Sequence, residues 1–305
     1  MDKSPILLRV LDIFRIGPGP SSSHTVGTMR AAKRFREACI ERGLTPDRVT
    51  VELFGSLAAT GRGHGTDRAV LAGLVGWSPE TVDPDAFAAL PERLTADPLV
   101  PFGLATIRLT PEDVLFRRGR RELPHPNTLT LRAYDGMGAA LFEQTWLSVG
   151  GGFVRRADEA DGVGLNHPTT PPVAPFSDGT SLVEQGRRYG SIGAAVLANE
   201  AVWEKEPGEV GAGLDLIVQA FERCIQRGLH RRGELPGGLG VRRRAPELLE
   251  SLESGKVPEF WRHIARAQAY AYAINEENAA GGIVVTAPTN GAAGIFPATL
   301  IEAKE

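Results

Sequence analysis

The chain has 305 residues, of which 42% are apolar and 23% charged, and 34 basic against 37 acidic side chains leave a net charge of −3. This length suggests two domains, and the composition is typical of a globular protein in water. Such a balanced charge argues against a nucleic-acid or membrane-surface partner, and no apolar stretch is long enough to span a membrane. We expect a cytoplasmic protein without a cleavable leader.

Predicted elements alternate between helix and strand in the first half of the chain. Helical spacing of apolar residues covers 5–15, 25–42 and 66–75. Strand-like alternation with β-branched residues covers 49–55, 104–110, 113–117, 128–134 and 139–149. Together these elements predict an α+β domain over residues 1–155.

The second half has a different pattern. Residues 156–179 are rich in Pro and Gly and have few apolar anchors, which is typical of a linker. Beyond them, helical spacing covers 181–206, 211–228, 246–254 and 258–278. We therefore predict an all-α domain over residues 180–305.

The chain has only two cysteines, and their spacing predicts neither a disulfide nor a cysteine-based metal site. Cys224 lies on the apolar face of a helical pattern and is expected to be a core thiol. Cys39 lies near a predicted helix end and is expected to be inert.

A serine-rich loop, residues 17–25, carries Ser21, Ser22, Ser23, His24 and Thr25 directly before a predicted helix. Gly and Pro end the preceding element, and a serine is expected to cap the following helix. The exposed N–H groups of that helix end suit a carboxylate or a phosphate. The alternative is a simple N-cap. Three serines and a histidine exceed what a cap requires, so the two interpretations are evenly balanced.

A glycine-flanked histidine, His64, stands in the segment GRGHGTD between a predicted strand and a predicted helix. Histidine side chains ordinarily titrate at about pH 6.5, so a histidine is a natural general base at neutral pH. The alternative is a Gly-rich turn in which Thr66 or Asp67 caps the next helix. That alternative explains the glycines but not the histidine. The order of residues matches neither the Rossmann nor the P-loop pattern.

Two further loops have residue types that suit substrate binding. His125 and Asn127 precede a strand in HPNT, although taken alone this segment favours an ordinary turn. Thr289, Asn290 and Gly291 lie in a loop before a helix of small residues, where Thr289 or Asn290 is expected to cap the helix and expose a second anion-binding end. The alternative for that loop is a plain helix–loop–helix corner.

Several segments in this order together resemble the bacterial iron–sulfur L-serine dehydratases: DIFRIGPGPSSSHT, GHGTD, HPNT, SVGGGF, LPGGL with RRRA, and NEENAAGGIVVTAPTNGAAGIFPA. The resemblance spans nearly the whole chain. It implies an α+β domain followed by a helical domain, and conversion of L-serine to pyruvate and ammonia. It also implies a four-iron four-sulfur cluster held by three cysteines, whose open iron acts as a Lewis acid on the substrate hydroxyl.

The resemblance also implies roles for residues. His64 is the expected base, with His24 and His125 as alternates, and the carboxylate needs donors around it. The expected substrate-binding residues are Ser21, Ser22, Ser23, Thr25, Asn127, Thr289, Asn290 and Gly291. In the family the cluster cysteines follow the PTNGA segment, so we assign no metal ligand here. We expect a C-terminally truncated chain that is inactive alone, and a homo-oligomer.

Two other functions compete with this one. A pyridoxal-phosphate dehydratase needs a Schiff-base lysine, but none of the five lysines lies beside a plausible phosphate loop, so we expect no pyridoxal phosphate. A non-catalytic sensor of serine or another carboxylate is the second alternative. It predicts serine binding without turnover even in a complete protein.

Overall fold

A computed structural model describes residues 5–119, 122–159, 168–286 and 289–304. The helices are α1 Val10–Ile13, α2 Val26–Glu41, α3 Gly55–His64, α4 Thr66–Val75, α5 Pro84–Ala96, α6 Gly179–Tyr189, α7 Ile192–Trp203, α8 Glu209–His230, α9 Ala245–Glu253, α10 Arg262–Ala279 and α11 Ile295–Lys304. The strands are β1 Ile16–Pro18, β2 Arg48–Leu53, β3 Leu99–Phe102, β4 Ala105–Arg108, β5 Val114–Phe116, β6 Thr128–Tyr134, β7 Ala140–Gly150, β8 Phe153–Arg156 and β9 Ile283–Val285.

The first half is an α/β unit built on one mixed sheet of order β3-β4-β2-β6-β7-β8, with β5 parallel to β2. Alternate residues of β2 and β6, such as Val51 and Leu131, are paired in register and fully buried. They pack against Phe35 of α2 and Leu71 of α4 in one apolar cluster. The core therefore lies between the sheet and its helices. Apolar residues at every second position of a strand and at every third or fourth position of a helix form the two faces that meet there.

The second half is mostly helical, and the predicted order of an α+β unit followed by a helical unit is confirmed. The predicted long helix over 181–206 is in fact two helices. Gly190, at φ 89°, ends α6, and the Ser191 hydroxyl accepts from the Ala194 N–H at 2.9 Å to begin α7. Cys224 is buried in the helical cluster and Cys39 in the α/β cluster, in agreement with the expectation for both thiols.

The N-terminal segment does not form the helix predicted over 5–15. Only Val10–Ile13 is helical, and the chain then extends into β1, which pairs antiparallel with β9 from Ile16↔Val285 to Pro18↔Ile283. Leu11 and Phe14 pack against α8. The apolar residues that predicted a helix pack against α8 from a mostly extended segment. The four-residue helix that does form has little stability of its own. The segment thereby joins the two halves, while the division into domains at 155–180 stays a prediction.

Within the described residues, no helix is both long enough and apolar enough to cross a membrane.

Candidate active site

The serine loop between β1 and α2 is folded by its own backbone. The N–H groups of His24 and Thr25 both donate to the Ser21 carbonyl, at 3.0 and 2.9 Å. The Thr25 hydroxyl is fully buried and lies 2.6 Å from the Pro18 carbonyl. The N-cap of α2 is Thr25, whose side chain makes no capping bond, so the expectation of a serine cap is wrong. Thr25 thus supports the loop, and direct substrate binding by it stays a prediction.

The imidazole of His24 lies at the centre of a set of hydroxyls. Its Nδ1 is 3.1 Å from Ser23 Oγ and 3.3 Å from Ser21 Oγ. Its Nε2 is 3.0 Å from Thr60 Oγ1 and 3.3 Å from Ser56 Oγ. The hydroxyls of Ser21 and Ser23 thus face the histidine and do not cap α2. Burial, together with the nearby ring of His64, lowers the pKa of His24.

His64 is half-buried at the last position of α3, and its ring centroid lies 4.5 Å from that of His24. Its Nδ1 is 2.9 Å from the Thr60 carbonyl oxygen. The alternative of a Gly-rich strand-to-helix turn is wrong, because residues 61–64 complete α3 and Gly65, at φ 67°, is the joint with α4. Neither Thr66 nor Asp67 caps α4. The structure thus brings two of the three predicted histidines into contact.

The loop after β9 contacts the serine loop directly. Asn290 is buried; its Oδ1 accepts from the Ser22 N–H at 2.7 Å and its Nδ2 donates to Asn278 Oδ1 at 2.9 Å. The expected capping of α11 by Thr289 or Asn290 is wrong. A 3-10 turn over Asn290–Ala292, which includes Gly291, precedes α11, and Thr289 makes no side-chain cap. Asn290 instead bridges the two halves of the chain.

The HPNT loop reaches the site through one intermediate residue. The His125 Nδ1 accepts from the Asn127 N–H at 3.0 Å. Asn127 Nδ2 donates to the Ser148 carbonyl at 3.2 Å, and Ser148 Oγ donates to the Ser23 carbonyl at 2.7 Å. Asn127 is therefore tied to the serine loop. The Nδ1 of His125 is already engaged by its own turn, as the simple-turn alternative predicts.

A cavity of about 190 Å³ opens beside His64 at the boundary of the two halves. Arg68 lines it, and the buried Nε of Arg68 has no hydrogen-bond partner in the described part of the chain. The cavity is also lined by Pro20, Pro236 and Gly281. Sequence reasoning missed Arg68, Thr60 and Asn278, although Ser56, Thr60 and His64 follow each other at intervals of four. A larger hollow of about 770 Å³ lies on the open face of the sheet, lined by residues remote from the histidines.

The two cysteines do not fit the cluster implied by the resemblance. Cys39 is buried in the α/β core and Cys224 in the helical core, so their thiolates cannot converge on one metal. Burial raises the pKa of the Cys39 thiol to about 12 and also raises that of Cys224. Across the described ranges, no group of three His, Cys, Asp or Glu side chains could hold a metal ion. The described residues therefore offer no cluster ligands.

Comparison with known proteins gives a consistent result over both halves. Residues 9–159 match the family model described as serine dehydratase beta chain, and residues 188–305 match the one described as serine dehydratase alpha chain. The L-serine dehydratase of Streptomyces coelicolor is 45% identical over 298 residues, which cover 96% of this chain and 65% of that protein. The L-serine dehydratases of Haemophilus influenzae and Helicobacter pylori are 37% and 38% identical, and the matches cover 66% and 65% of their lengths. The chain thus spans about 65% of the relatives that it matches.

Proposed function

The chain belongs to the serine dehydratase family, and from that premise we propose that it acts in the conversion of L-serine to pyruvate and ammonia. In this reaction serine loses its α-proton and its hydroxyl group as water, which gives 2-aminoacrylate. The imine tautomer of that product takes up water and releases ammonia and pyruvate. The observation that best supports the proposal is the meeting of His64, His24, the serine loop and Asn290 at one point, since a base and carboxylate donors are what this elimination requires.

His64 is the proposed base for the α-proton, with His24 and His125 as the alternates. Its Nδ1 is bound to a backbone carbonyl, so in the neutral ring Nε2 holds the lone pair. His64 also borders the cavity at the boundary of the two halves. His24 is less suited because hydroxyls lie at both of its ring nitrogens.

The carboxylate of serine is proposed to bind at the serine loop and the loop of Asn290. Among the described residues the Ser22 hydroxyl has no hydrogen-bond partner, which leaves it free for a ligand. Ser21, Ser23, Thr25, Asn127, Thr289 and Gly291 stay proposed contacts of the substrate. The sensor alternative has no comparable support, because the relatives quoted above are all named dehydratases.

A four-iron four-sulfur cluster is proposed for an enzyme of the relatives' full length, with ligands from outside the described residues, and pyridoxal phosphate is not proposed. We further propose a cytoplasmic homo-oligomer with no nucleic-acid or membrane partner. The cluster proposal predicts that activity measured anaerobically is lost in air. Equal activity after prolonged aeration and chelation would contradict it.

The experiment that tests the proposed function uses the chain alone and the chain fused to the last third of the Streptomyces coelicolor relative, assayed anaerobically for pyruvate from L-serine. We expect the fusion to be active and the chain alone to be inactive, because Cys39 and Cys224 cannot hold a cluster. In the fusion, His64→Ala should lower kcat by about 10²-fold or more.

The matched control for that substitution is His230→Ala. His230 makes the same bond to the carbonyl four residues earlier, at 2.8 Å from Gln226, but lies exposed at the end of α8. It should leave kcat unchanged. A fusion that binds L-serine without forming pyruvate would favour the sensor, and a mild effect of His64→Ala beside a severe one of His125→Ala or His24→Ala would reassign the base.

A further inference from the structure

One face of α3 carries a row of three polar side chains. Ser56, Thr60 and His64 are spaced four residues apart, and residues with this spacing lie above one another on a helix. All three contact the histidine pair or belong to it. Thr60 is the central member, and it contacts both imidazoles through different atoms.

The backbone of Thr60 determines where His64 carries its hydrogen. A carbonyl oxygen only accepts hydrogen bonds, and that of Thr60 lies 2.9 Å from His64 Nδ1. Nδ1 must therefore be the protonated nitrogen of the neutral ring, and Nε2 must hold the lone pair. This bond depends on the helical backbone and does not depend on the side chain at position 60.

The hydroxyl of Thr60 determines the tautomer of His24. Its single hydrogen is donated to the Ser56 carbonyl at 3.0 Å, so it can only accept from His24 Nε2, also at 3.0 Å. Nε2 of His24 is then protonated and Nδ1 is the acceptor. The hydroxyl of Ser23, at 3.1 Å, is placed to donate to that Nδ1. The directions of these bonds are mutually consistent.

We propose that Thr60 is a positioning residue that holds His64 and His24 in opposite tautomers, with the lone pair on Nε2 of His64 and on Nδ1 of His24. This inference rests on the proposed function only in taking the lone pair of His64 as the acceptor of the substrate proton. Since Nε2 of His24 already carries a hydrogen, His24 offers no free nitrogen on the side of Thr60. Burial of His24 lowers its pKa, which favours the neutral ring that these tautomers require.

The test is a long-range ¹H–¹⁵N correlation spectrum of the full chain labelled with ¹⁵N-histidine, which reports which ring nitrogen is protonated. Substitutions of His24 and His64 assign the signals. We expect His64 to be protonated on Nδ1 and His24 on Nε2. Thr60→Val keeps the side-chain shape but removes the hydroxyl, so the His24 tautomer ratio should fall by roughly 2- to 13-fold, the equivalent of one net hydrogen bond. Thr60→Ser should restore it, and His64 should not change in either variant.

The matched control is Thr95→Val, because the Thr95 hydroxyl makes the same bond to the carbonyl four residues earlier, at 2.9 Å from Pro91, on the exposed side of α5. It should leave both histidines unchanged. The proposal is overturned if wild-type His24 is protonated on Nδ1, or if Thr60→Val leaves its tautomer ratio as it was. The wild-type spectrum decides even if that variant fails to fold. Opposite tautomers in a protein that never forms pyruvate would count against the proposed function alone.

Discussion

The α/β half and the helical half bury their apolar side chains to different degrees. In the α/β half one cluster runs from Met29 to Val154, and Phe35 and Phe102 within it are 0% exposed. The helical half has two smaller clusters and carries most of the exposed large apolar side chains, with Phe260 81% and Ile295 65% exposed, although Leu104 and Met137 of the α/β half are exposed as well. The first half is therefore held together by its own apolar core, whereas the second depends more on polar networks and on the strand that reaches it from the N-terminus.

The largest expected effect is in the apolar core of the α/β half. Phe35→Ala removes a fully buried ring that stacks on Phe142 at 5.5 Å, and the helix and sheet around it cannot collapse into the space. We expect a loss of about 3–5 kcal/mol in the free energy of unfolding. Urea denaturation followed by circular dichroism measures it. A loss below about 1 kcal/mol would show that this core is not the main source of stability.

The polar network of the helical half should come next. Glu277 is 1% exposed and accepts from Arg227 Nε at 2.8 Å and from Arg243 Nη1 at 2.6 Å. Glu277→Ala leaves the buried guanidinium of Arg243 unpaired, so we expect a loss of about 3 kcal/mol in the same urea titration. The exposed pair Arg232–Glu250 offers the control, because Glu250→Ala should cost less than about 1 kcal/mol.

The contact between the two halves should be weaker but measurable. A Cβ at Gly19 would lie 2.4 Å from the Asn278 carbonyl oxygen, so Gly19→Ala forces β1 and the serine loop away from α10. We expect Gly19→Ala to lower the free energy of unfolding by about 1–3 kcal/mol. Gly211→Ala in α8 is the control, since nothing lies within 4 Å of its added carbon. If both variants unfold at the same urea concentration, the halves do not depend on this contact.

The site itself should add a pH dependence to the stability. His24 has a pKa in the folded state that lies below its ordinary 6.5. At pH values between the folded-state pKa and 6.5, His24 binds more protons in the unfolded chain than in the folded one, so the free energy of unfolding falls as the pH falls. We expect a lower free energy of unfolding at about pH 5.5 than at about pH 7.5, and a flatter dependence in His24→Gln. Carboxylates with lowered pKa values, such as Asp85 and Glu302, change the pH dependence of the free energy of unfolding only below their ordinary pKa values of 3.8 and 4.5. Equal slopes in the two proteins would contradict this origin.

The smallest effect should come from the exposed apolar surface of the helical half. Phe260→Ser removes a ring that is 81% exposed, so the free energy of unfolding should change by no more than about 0.5 kcal/mol. The contrast with Phe35→Ala then measures how much burial of the ring contributes at each position. A loss of several kcal/mol would mean that this ring is covered in solution.

The sequence patterns predicted most of the sheet and the longer helices, because β2, β6 and α2 each keep one apolar face. They predicted neither α3 nor α5, and they missed the strands β3 and β8. Gly61 and Gly63 are poor helix formers and indicated a turn, but Gly61 is buried, and packing of the first turns of α3 through Leu57 and Ala58 outweighs that propensity. The row of Ser56, Thr60 and His64 was hidden for the same reason.

The candidate site was predicted as a set of segments but not as a set of contacts. His24, His64, Ser22 and Asn290 were all selected for their chemistry. The structure pairs the two rings and joins Ser22 to Asn290. The expected helix caps were wrong for two reasons. The hydroxyls of Ser21 and Ser23 contact the neighbouring His24, and the amide of Asn290 binds Ser22, a distant residue about which the local sequence contains no information.

The bond from Ser22 to Asn290 also sets an order of events during synthesis, because its partners are 268 residues apart. At 5–20 residues per second, the second partner is added roughly 13–54 s after the first. The α/β core has all of its strands long before that moment. On the ribosome the two histidines are thus present well before Asn290, and the contact that joins the serine loop to the loop after β9 can form only on a chain made past Asn290.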